Sequence, residues 1–229
     1  MMDKQYSVFL GNYGSGKTEI ALNTAVMQAQ THSRVALVDL DIVNPYFRSA
    51  EKKEILQKNG IRLIASKYVN TAIDLPLIPP EVHSVFSGAD ERAVFDVGGD
   101  AVGATALGTF REPFSRVRNR MGVYYVVNVR RPLSSTLERI LDMMNTIQEA
   151  SRLRLDGLIN NSNLGVETTE EDLLEGQSIL RKVSAKTGIP IAYTSGMPDI
   201  LEKAASVAEL DGEAFFLTRY MELEWQAME

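Results

Sequence analysis

The segment Gly11-Asn12-Tyr13-Gly14-Ser15-Gly16-Lys17-Thr18 follows a short apolar run, Tyr6 to Leu10, and opens a stretch with helical spacing. Its glycines allow the backbone to turn sharply, so that successive N–H groups and the N-terminus of the helix face one anion. Lys17 adds a mobile positive charge and Thr18 a hydroxyl. This turn between a strand and a helix therefore predicts a phosphate-binding site.

The segment matches the whole pattern G-x-x-x-x-G-K-[ST], the Walker A motif or P-loop of nucleoside triphosphatases. Lys17 is expected beside the β- and γ-phosphates as a catalytic residue, and Thr18 on Mg²⁺, which prefers oxygen ligands. The alternative is a glycine-rich turn with an incidental lysine. The nucleotide-binding residues expected here are Gly11, Asn12, Tyr13, Gly14, Ser15, Gly16, Lys17, Thr18 and Glu19.

Strand and helix patterns alternate along the rest of the chain, which indicates an α/β fold with a mostly parallel, doubly wound sheet of about seven strands flanked by helices. Such a sheet binds ligands beyond the carboxyl ends of its strands. Residues 1–229 are expected to form a single P-loop nucleotide-binding domain. Predicted strands are Tyr6 to Leu10, Val35 to Leu40, Ile61 to Ala65, Ala93 to Val97, Val123 to Val129, Leu155 to Asn160 and Ile189 to Thr194. Predicted helices are Lys17 to Gln30, Pro45 to Lys58, Ser134 to Arg152 and Glu170 to Lys186, and Ser66 to Pro80 is a candidate mobile loop.

Aspartates follow two of the predicted strands, in Val38-Asp39-Leu40-Asp41 and in Phe95-Asp96-Val97-Gly98-Gly99. An aspartate at the end of a buried strand can hold Mg²⁺ through water, and a glycine after it lets a loop respond to the γ-phosphate. Thr18, Asp41 and Asp96 are therefore the candidate metal-binding residues. The alternative is that Asp39 and Asp41 cap the next helix and that Asp96 satisfies a turn.

These motifs resemble those of the MinD/ParA group of P-loop ATPases, which includes members similar to cobyrinic acid a,c-diamide synthase and to the nitrogenase iron protein. The resemblance covers most of the chain and includes a late Asn and Pro. It implies that Asp41 positions or activates the attacking water, and that Asp96 supports Mg²⁺. It also implies ATP and Mg²⁺ as cofactors, with adenine between Asn160 or Asn161 and the loop of Pro198.

The base-recognition residues are open to a second interpretation. Asn160-Asn161-Ser162-Asn163 lacks the Lys and Asp of the GTPase pattern N-K-x-D, which favours ATP over GTP. Neighbouring asparagines can donate to and accept from a base edge. The alternative is an ordinary polar turn.

The P-loop departs from the resemblance at Asn12, where related proteins often carry a lysine that reaches the phosphates of a partner in a dimer. An amide lacks the charge that stabilises a transferring phosphoryl group. Arg130 and Arg131 follow the fifth predicted strand and are candidate substitutes; structural ion pairs are the alternative. They end a basic stretch that starts at Arg111, whose first part, up to Arg120, is also typical of a solvated helix face.

Composition limits the partners. The chain has 229 residues, a net charge of −6 and no Cys, so nucleic acid is an unlikely partner and a Cys-ligated cluster is excluded within the chain. No apolar run is long enough to span a bilayer and no signal peptide is apparent, which predicts a cytoplasmic protein. The amphipathic segment Glu213 to Trp225 is acidic, so we expect it to pack on its own domain and not to anchor the protein in a membrane.

The leading hypothesis is an ATP-binding protein, a slow ATPase that acts as a nucleotide-dependent switch controlling homodimerisation or docking of an unknown protein partner. One alternative is an ATP-dependent small-molecule ligase or synthase of the cobyrinic acid a,c-diamide synthase type. Another is a non-hydrolytic nucleotide-binding subunit, which Asn12 makes plausible.

Overall fold

The computed structural model describes residues 3–41, 50–65, 80–99 and 101–221. The strands of these ranges are β1 (Tyr6–Leu10), β2 (Val35–Leu40), β3 (Arg62–Ala65), β4 (Arg92–Val97), β5 (Met121–Val127), β6 (Gly157–Asn160), β7 (Ile191–Gly196) and β8 (Glu213–Phe216). The α-helices are α1 (Lys17–Ala29), α2 (Ala50–Lys58), α3 (Ala101–Gly108), α4 (Arg111–Val117), α5 (Leu137–Ser151), α6 (Glu170–Thr187) and α7 (Pro198–Val207). Short 3₁₀ turns lie at Pro80–Ser87, Arg118–Arg120, Pro132–Ser134 and Gly165–Glu167.

The strands form one sheet in the order β3-β2-β4-β1-β5-β6-β7-β8, and every pairing is parallel. Both faces of the sheet are covered. Val8 of β1 packs in a core with residues of α3, α4, α5 and α6, whereas Phe9 packs on the opposite face with residues of α1 and α2. Burial on both faces explains why the strands read as continuous apolar runs in the sequence.

The seven predicted strands and the parallel α/β architecture are confirmed, with small shifts at the ends. β5 stops at Val127 because a turn follows it, in which the N–H of Arg131 donates to the carbonyl of Asn128 at 3.1 Å. The helix predicted from Ser134 begins at Leu137, since Thr136 caps it by accepting from the N–H of Arg139. Residues 45–49 of a predicted helix and 66–79 of a predicted loop lie outside the described residues.

The structure adds elements that the sequence patterns did not indicate, namely α3, α7 and the edge strand β8, whereas α4 lies in the basic stretch from Arg111 to Arg120, where a solvated helix face was one of the two interpretations. β8 lies within the segment Glu213 to Trp225 and pairs with β7, for example Thr194 with Ala214. The described part of that segment therefore packs on its own domain, as expected, but it starts as a strand. Among the residues that the structure describes, no helix is long and apolar enough to cross a membrane.

The sheet order places the functional candidates at one edge. β1 lies between β4 and β5, so the P-loop that follows β1 meets the ends of both neighbours. Phe9 pairs with Asp96, and Asp39 of β2 also pairs with Asp96. The ends of β1, β2 and β4 therefore lie side by side, where such sheets bind ligands.

Candidate functional site

The P-loop backbone has a conformation that depends on glycine. Gly11 has φ of 144° and Gly16, at the start of α1, has φ of 88°, a region that L side chains rarely adopt. A side chain at Gly11 would overlap the carbonyl of Val126, and one at Gly16 would overlap the amide of Asn161. Gly16 gives α1 no side-chain cap, and the first turn of a helix carries N–H groups that can bind an anion. The turn is therefore shaped as an anion site.

Lys17 and Thr18 are held in place by polar contacts within the protein. Lys17 is only 6% exposed, and its Nζ donates to the carbonyl of Asn12 at 2.8 Å. The hydroxyl of Thr18 donates to Oδ2 of Asp96, also at 2.8 Å, and Asp96 is buried at the end of β4. A hydroxyl beside a buried carboxylate is an oxygen donor set that fits Mg²⁺ with retained waters. The structure thus brings together two of the three residues expected at the metal.

Asp41 lies near the loop that follows β4. Its N–H is held by Oδ1 of Asp39 at 3.1 Å, which gives Asp39 a role in shaping this turn. A Cβ on Gly98 would lie 3.4 Å from Oδ1 of Asp41, and a Cβ on Gly99 would lie 2.5 Å from the backbone nitrogen of Tyr13. The loop after β4 therefore packs directly against both Asp41 and the P-loop.

A cavity of about 820 Å³ extends from the P-loop across the ends of β6 and β7. Its phosphate end includes Lys17, Thr18 and Asp41, and a volume of this size is typical of small-molecule sites. The lining also includes Ser162, Asn163, Gly165 and Val166, and several apolar side chains. These are Leu173, Met197, Ile200, Leu217 and Met221.

Asn161 lines the cavity, but its amide nitrogen and its amide oxygen both form hydrogen bonds within the protein. Nδ2 donates to the carbonyl of Ser15 at 2.8 Å, and Oδ1 accepts from the hydroxyl of Ser195 at 2.9 Å. Asn160 is fully buried and does not line the cavity; its amide donates to the carbonyl of Leu173 and accepts from Ser162. Asn160 thus holds the sheet to α6.

Pro198, the third candidate for the base, is the first residue of α7. The cavity wall next to it is formed by its neighbours Met197, Asp199 and Ile200. The loop after β7 therefore borders the cavity where the sequence predicted it, through residues adjacent to the proline.

Glu19 also borders the cavity, and its carboxylate holds the C-terminal segment, residues 217–221. Oε1 accepts from the N–H of Tyr220 at 2.6 Å, and Oε2 accepts from the N–H of Met221 at 3.0 Å. Burial raises the pKa of Glu19 above its ordinary value, although these hydrogen bonds partly oppose the effect. Asn23 pairs with both the N–H and the carbonyl of Thr218. Sequence reasoning placed Glu19 at the nucleotide and missed this segment as a wall of the cavity.

The two adjacent arginines after β5 have different environments. Arg130 is paired with Asp172, at 2.5 Å, and with Glu175, at 2.7 Å, and it does not line the cavity. Arg131 lines the cavity, and its Nε donates to the carbonyl of Gly14 at 3.2 Å. The ion-pair interpretation therefore holds for Arg130, and Arg131 is the arginine of the pair that lies at the P-loop.

The comparison with protein families agrees with this geometry. A family model described as CobQ/CobB/MinD/ParA nucleotide binding domain matches residues 8–199. The chain belongs to this family. The match runs from β1 to the start of α7 and so includes the P-loop, the aspartates Asp39, Asp41 and Asp96, and the asparagines at the end of β6 and after it. The comparison with curated proteins gives no match.

Solved structures with a similar fold include the cell division protein FtsY from Thermotoga maritima, with a TM-score of 0.56 and 17% identity. They also include the signal recognition particle receptor FtsY from Elizabethkingia anophelis in complex with GDP, with a TM-score of 0.52 and 14% identity. The matches cover 85% of this chain but only 63% and 58% of those proteins. At such low identity they show a shared P-loop fold.

Proposed function

We propose that this family member binds a purine nucleoside triphosphate with Mg²⁺, ATP in preference to GTP, and hydrolyses it slowly as a nucleotide-dependent switch. The observation that carries the proposal is the arrangement at one end of the cavity. There the anion-binding turn, the Lys17 ammonium and the pair of Thr18 and Asp96 converge. When bound, Mg²⁺ would be held by Thr18 and, through water, by Asp96, and it would neutralise phosphate charge.

The volume of the cavity, about 820 Å³, is large enough for a complete nucleotide. An apolar wall formed by Met197, Leu217 and Met221 lines the same cavity and can cover one face of a base. Asp199 also lines the cavity and is exposed. A carboxylate can accept from the N1–H and 2-amino groups of guanine, so GTP is the decisive competitor of ATP.

The switch is supported by the packing between the P-loop and the loop after β4. Gly99 lies against the backbone of Tyr13, and Gly98 lies against Asp41. An additional phosphate next to Lys17 would change the charge and the space that these residues share. The loop after β4 is therefore placed to adopt different positions with triphosphate and diphosphate, and so to change docking of a partner or of a second copy.

The test is a titration of the purified protein with Mg-ATP, Mg-GTP and Mg-ADP by calorimetry, combined with size-exclusion chromatography in each nucleotide. We expect ATP to bind more tightly than GTP, and the elution volume of the protein to differ between ATP and ADP. Arg116→Ala is a suitable control variant, since Arg116 is 73% exposed and pairs only with Glu112 among the described residues. Tighter binding of GTP would contradict the base preference, and identical behaviour in ATP and ADP would contradict the switch.

A further inference from the structure

Asn12 connects the P-loop to the turn that follows β5. Its side chain is buried and does not line the cavity. The Nδ2 group donates to the carbonyl of Leu133 at 2.8 Å and to the hydroxyl of Ser134 at 3.0 Å. Both acceptors belong to the 3₁₀ turn Pro132–Ser134. An amide in this position therefore fixes the distance between the P-loop and this turn.

Arg131 directly precedes the turn that Asn12 holds. Its guanidinium Nε donates to the carbonyl of Gly14, and a Cβ on Gly14 would lie 3.4 Å from the same nitrogen. The side chain is exposed and lines the cavity together with Lys17 and Thr18. The remaining N–H groups of a guanidinium can donate to phosphate oxygens in a planar fork.

We propose that Arg131, positioned by Asn12, is an intramolecular cation that stabilises the γ-phosphate during hydrolysis, so that a second copy of the chain is not needed for the chemical step. This inference rests on the proposed function. Asn12 acts only as a positioning residue, because it holds the turn Pro132–Ser134 that follows Arg131. The P-loop therefore gains its second positive charge from a neighbouring loop of the same chain.

Hydrolysis forms a bond between a water oxygen and the γ-phosphorus and breaks the bond from that phosphorus to the β–γ bridging oxygen. The electron pair of the broken bond stays on the bridging oxygen of the diphosphate, and one proton of the water is released to solvent while the other stays on the phosphate. Arg131 forms no covalent bond in this step. Its N–H groups offset negative charge on the phosphate oxygens as the bond order changes.

The test separates nucleotide binding from chemistry. Affinity is measured with Mg-ADP, and the rate is measured in single turnover with protein in excess over Mg-ATP, at several protein concentrations that all saturate the binding of Mg-ATP. For Arg131→Ala we expect a rate at least ~100-fold lower, since an arginine supplied in cis or in trans contributes about 10³–10⁵-fold in other phosphoryl-transfer sites. Mg-ADP affinity should change less than about threefold, and Arg116→Ala should match the wild type.

The role of Asn12 is tested with a double-mutant cycle. Asn12→Ala should slow the single-turnover rate with little change in Mg-ADP affinity, and the double variant with Arg131→Ala should be no slower than Arg131→Ala alone. A merely structural asparagine would give effects that multiply. The wild-type rate constant should not depend on protein concentration.

Three results would overturn the inference: an Arg131→Ala rate within about threefold of the wild type, a rate constant that rises with protein concentration, or a wild type that binds Mg-ATP without hydrolysing it. Each of these leaves nucleotide binding intact. Failure of the wild type to bind any purine nucleotide would instead refute the proposed function.

Discussion

Asn161 is predicted to support the P-loop and not to select the base, and Asn161→Ala tests this. The residue is 3% exposed, and its Nδ2 donates to the carbonyl of Ser15 at 2.8 Å. Its Oδ1 accepts from Ser195, whose hydroxyl keeps a second acceptor, the carbonyl of Asn160 at 3.1 Å, after the substitution. The main loss is therefore one buried hydrogen bond that leaves the Ser15 carbonyl unsatisfied, which costs about 1–3 kcal/mol.

The assay combines urea unfolding with calorimetric titration of Mg-ATP and Mg-GTP. We expect the free energy of unfolding to fall by about 1–3 kcal/mol, and both nucleotides to weaken by the same factor, at most about 150-fold, because the phosphate loop loses a contact that shapes it. The ratio of ATP to GTP affinity should stay within about twofold. Ser195→Ala is the matched control, since it keeps the bond from Asn161 to Ser15. A tenfold change in the ratio with unchanged stability would refute this reasoning and make Asn161 a base-reading residue.

Three further results are expected. Gly99→Ala should weaken Mg-ATP binding at least ~10-fold in a calorimetric titration, because the alanine methyl would overlap the backbone of Tyr13. A variant that binds Mg-ATP as tightly as the wild type would contradict the packing of the loop after β4 against the P-loop. Thr18→Ala should raise the Mg²⁺ concentration needed for half-maximal ATP binding, and an unchanged Mg²⁺ dependence would separate this hydroxyl from the metal. In Asp172, burial raises the pKa, but the hydrogen bonds from Thr169 and Arg130 outweigh it and lower the value overall. The wild type should therefore be more stable than Asp172→Asn above about pH 4, and this difference in the free energy of unfolding should disappear as the pH falls through the lowered pKa. Urea unfolding of both proteins at several pH values measures the difference. A difference that grows in acid would contradict the prediction.

The parts of the site that follow strand ends could be predicted from the sequence. Gly11 to Thr18 and Asp96 depend on local features, namely a glycine-rich turn, a helix start and a buried strand followed by glycine. Parallel strands bring their carboxyl ends to one edge, so the fold class places the residues after β1 and β4 at the same edge, and the adjacency of these two strands then brings Thr18 to Asp96. The strand and helix patterns indicated that class directly.

Sequence patterns could not tell which of two neighbouring residues lines the cavity and which supports the fold. Arg130 and Arg131 are adjacent, and the difference between them comes from Asp172 and Glu175 on α6, far along the chain. Asn160 and Asn161 differ because successive residues at a strand end face opposite sides of the sheet. Which side borders the cavity depends on packing against α6, which no spacing in the sequence reveals.

The part of the cavity wall formed by residues 217–221 could not be predicted from the sequence for a related reason. Glu19 follows the P-loop in the sequence and so appeared to be a nucleotide contact, but its partners are the N–H groups of Tyr220 and Met221. Their positions depend on β8, a four-residue strand whose pairing with β7 is set by the tertiary structure. Short edge strands carry too few residues for a periodic pattern to identify them.

The most direct test of this account is the affinity of the wild-type protein and of Lys17→Ala for Mg-ATP, measured by calorimetry at one ionic strength. The Lys17 ammonium, held at the P-loop by the carbonyl of Asn12, is expected to contact the phosphates. We predict clear saturable binding with one nucleotide per chain for the wild type, and an affinity lower by about 10-fold or more for the variant. Equal affinity of the two proteins, or no binding of Mg-ATP and Mg-GTP by the wild type, would contradict the account.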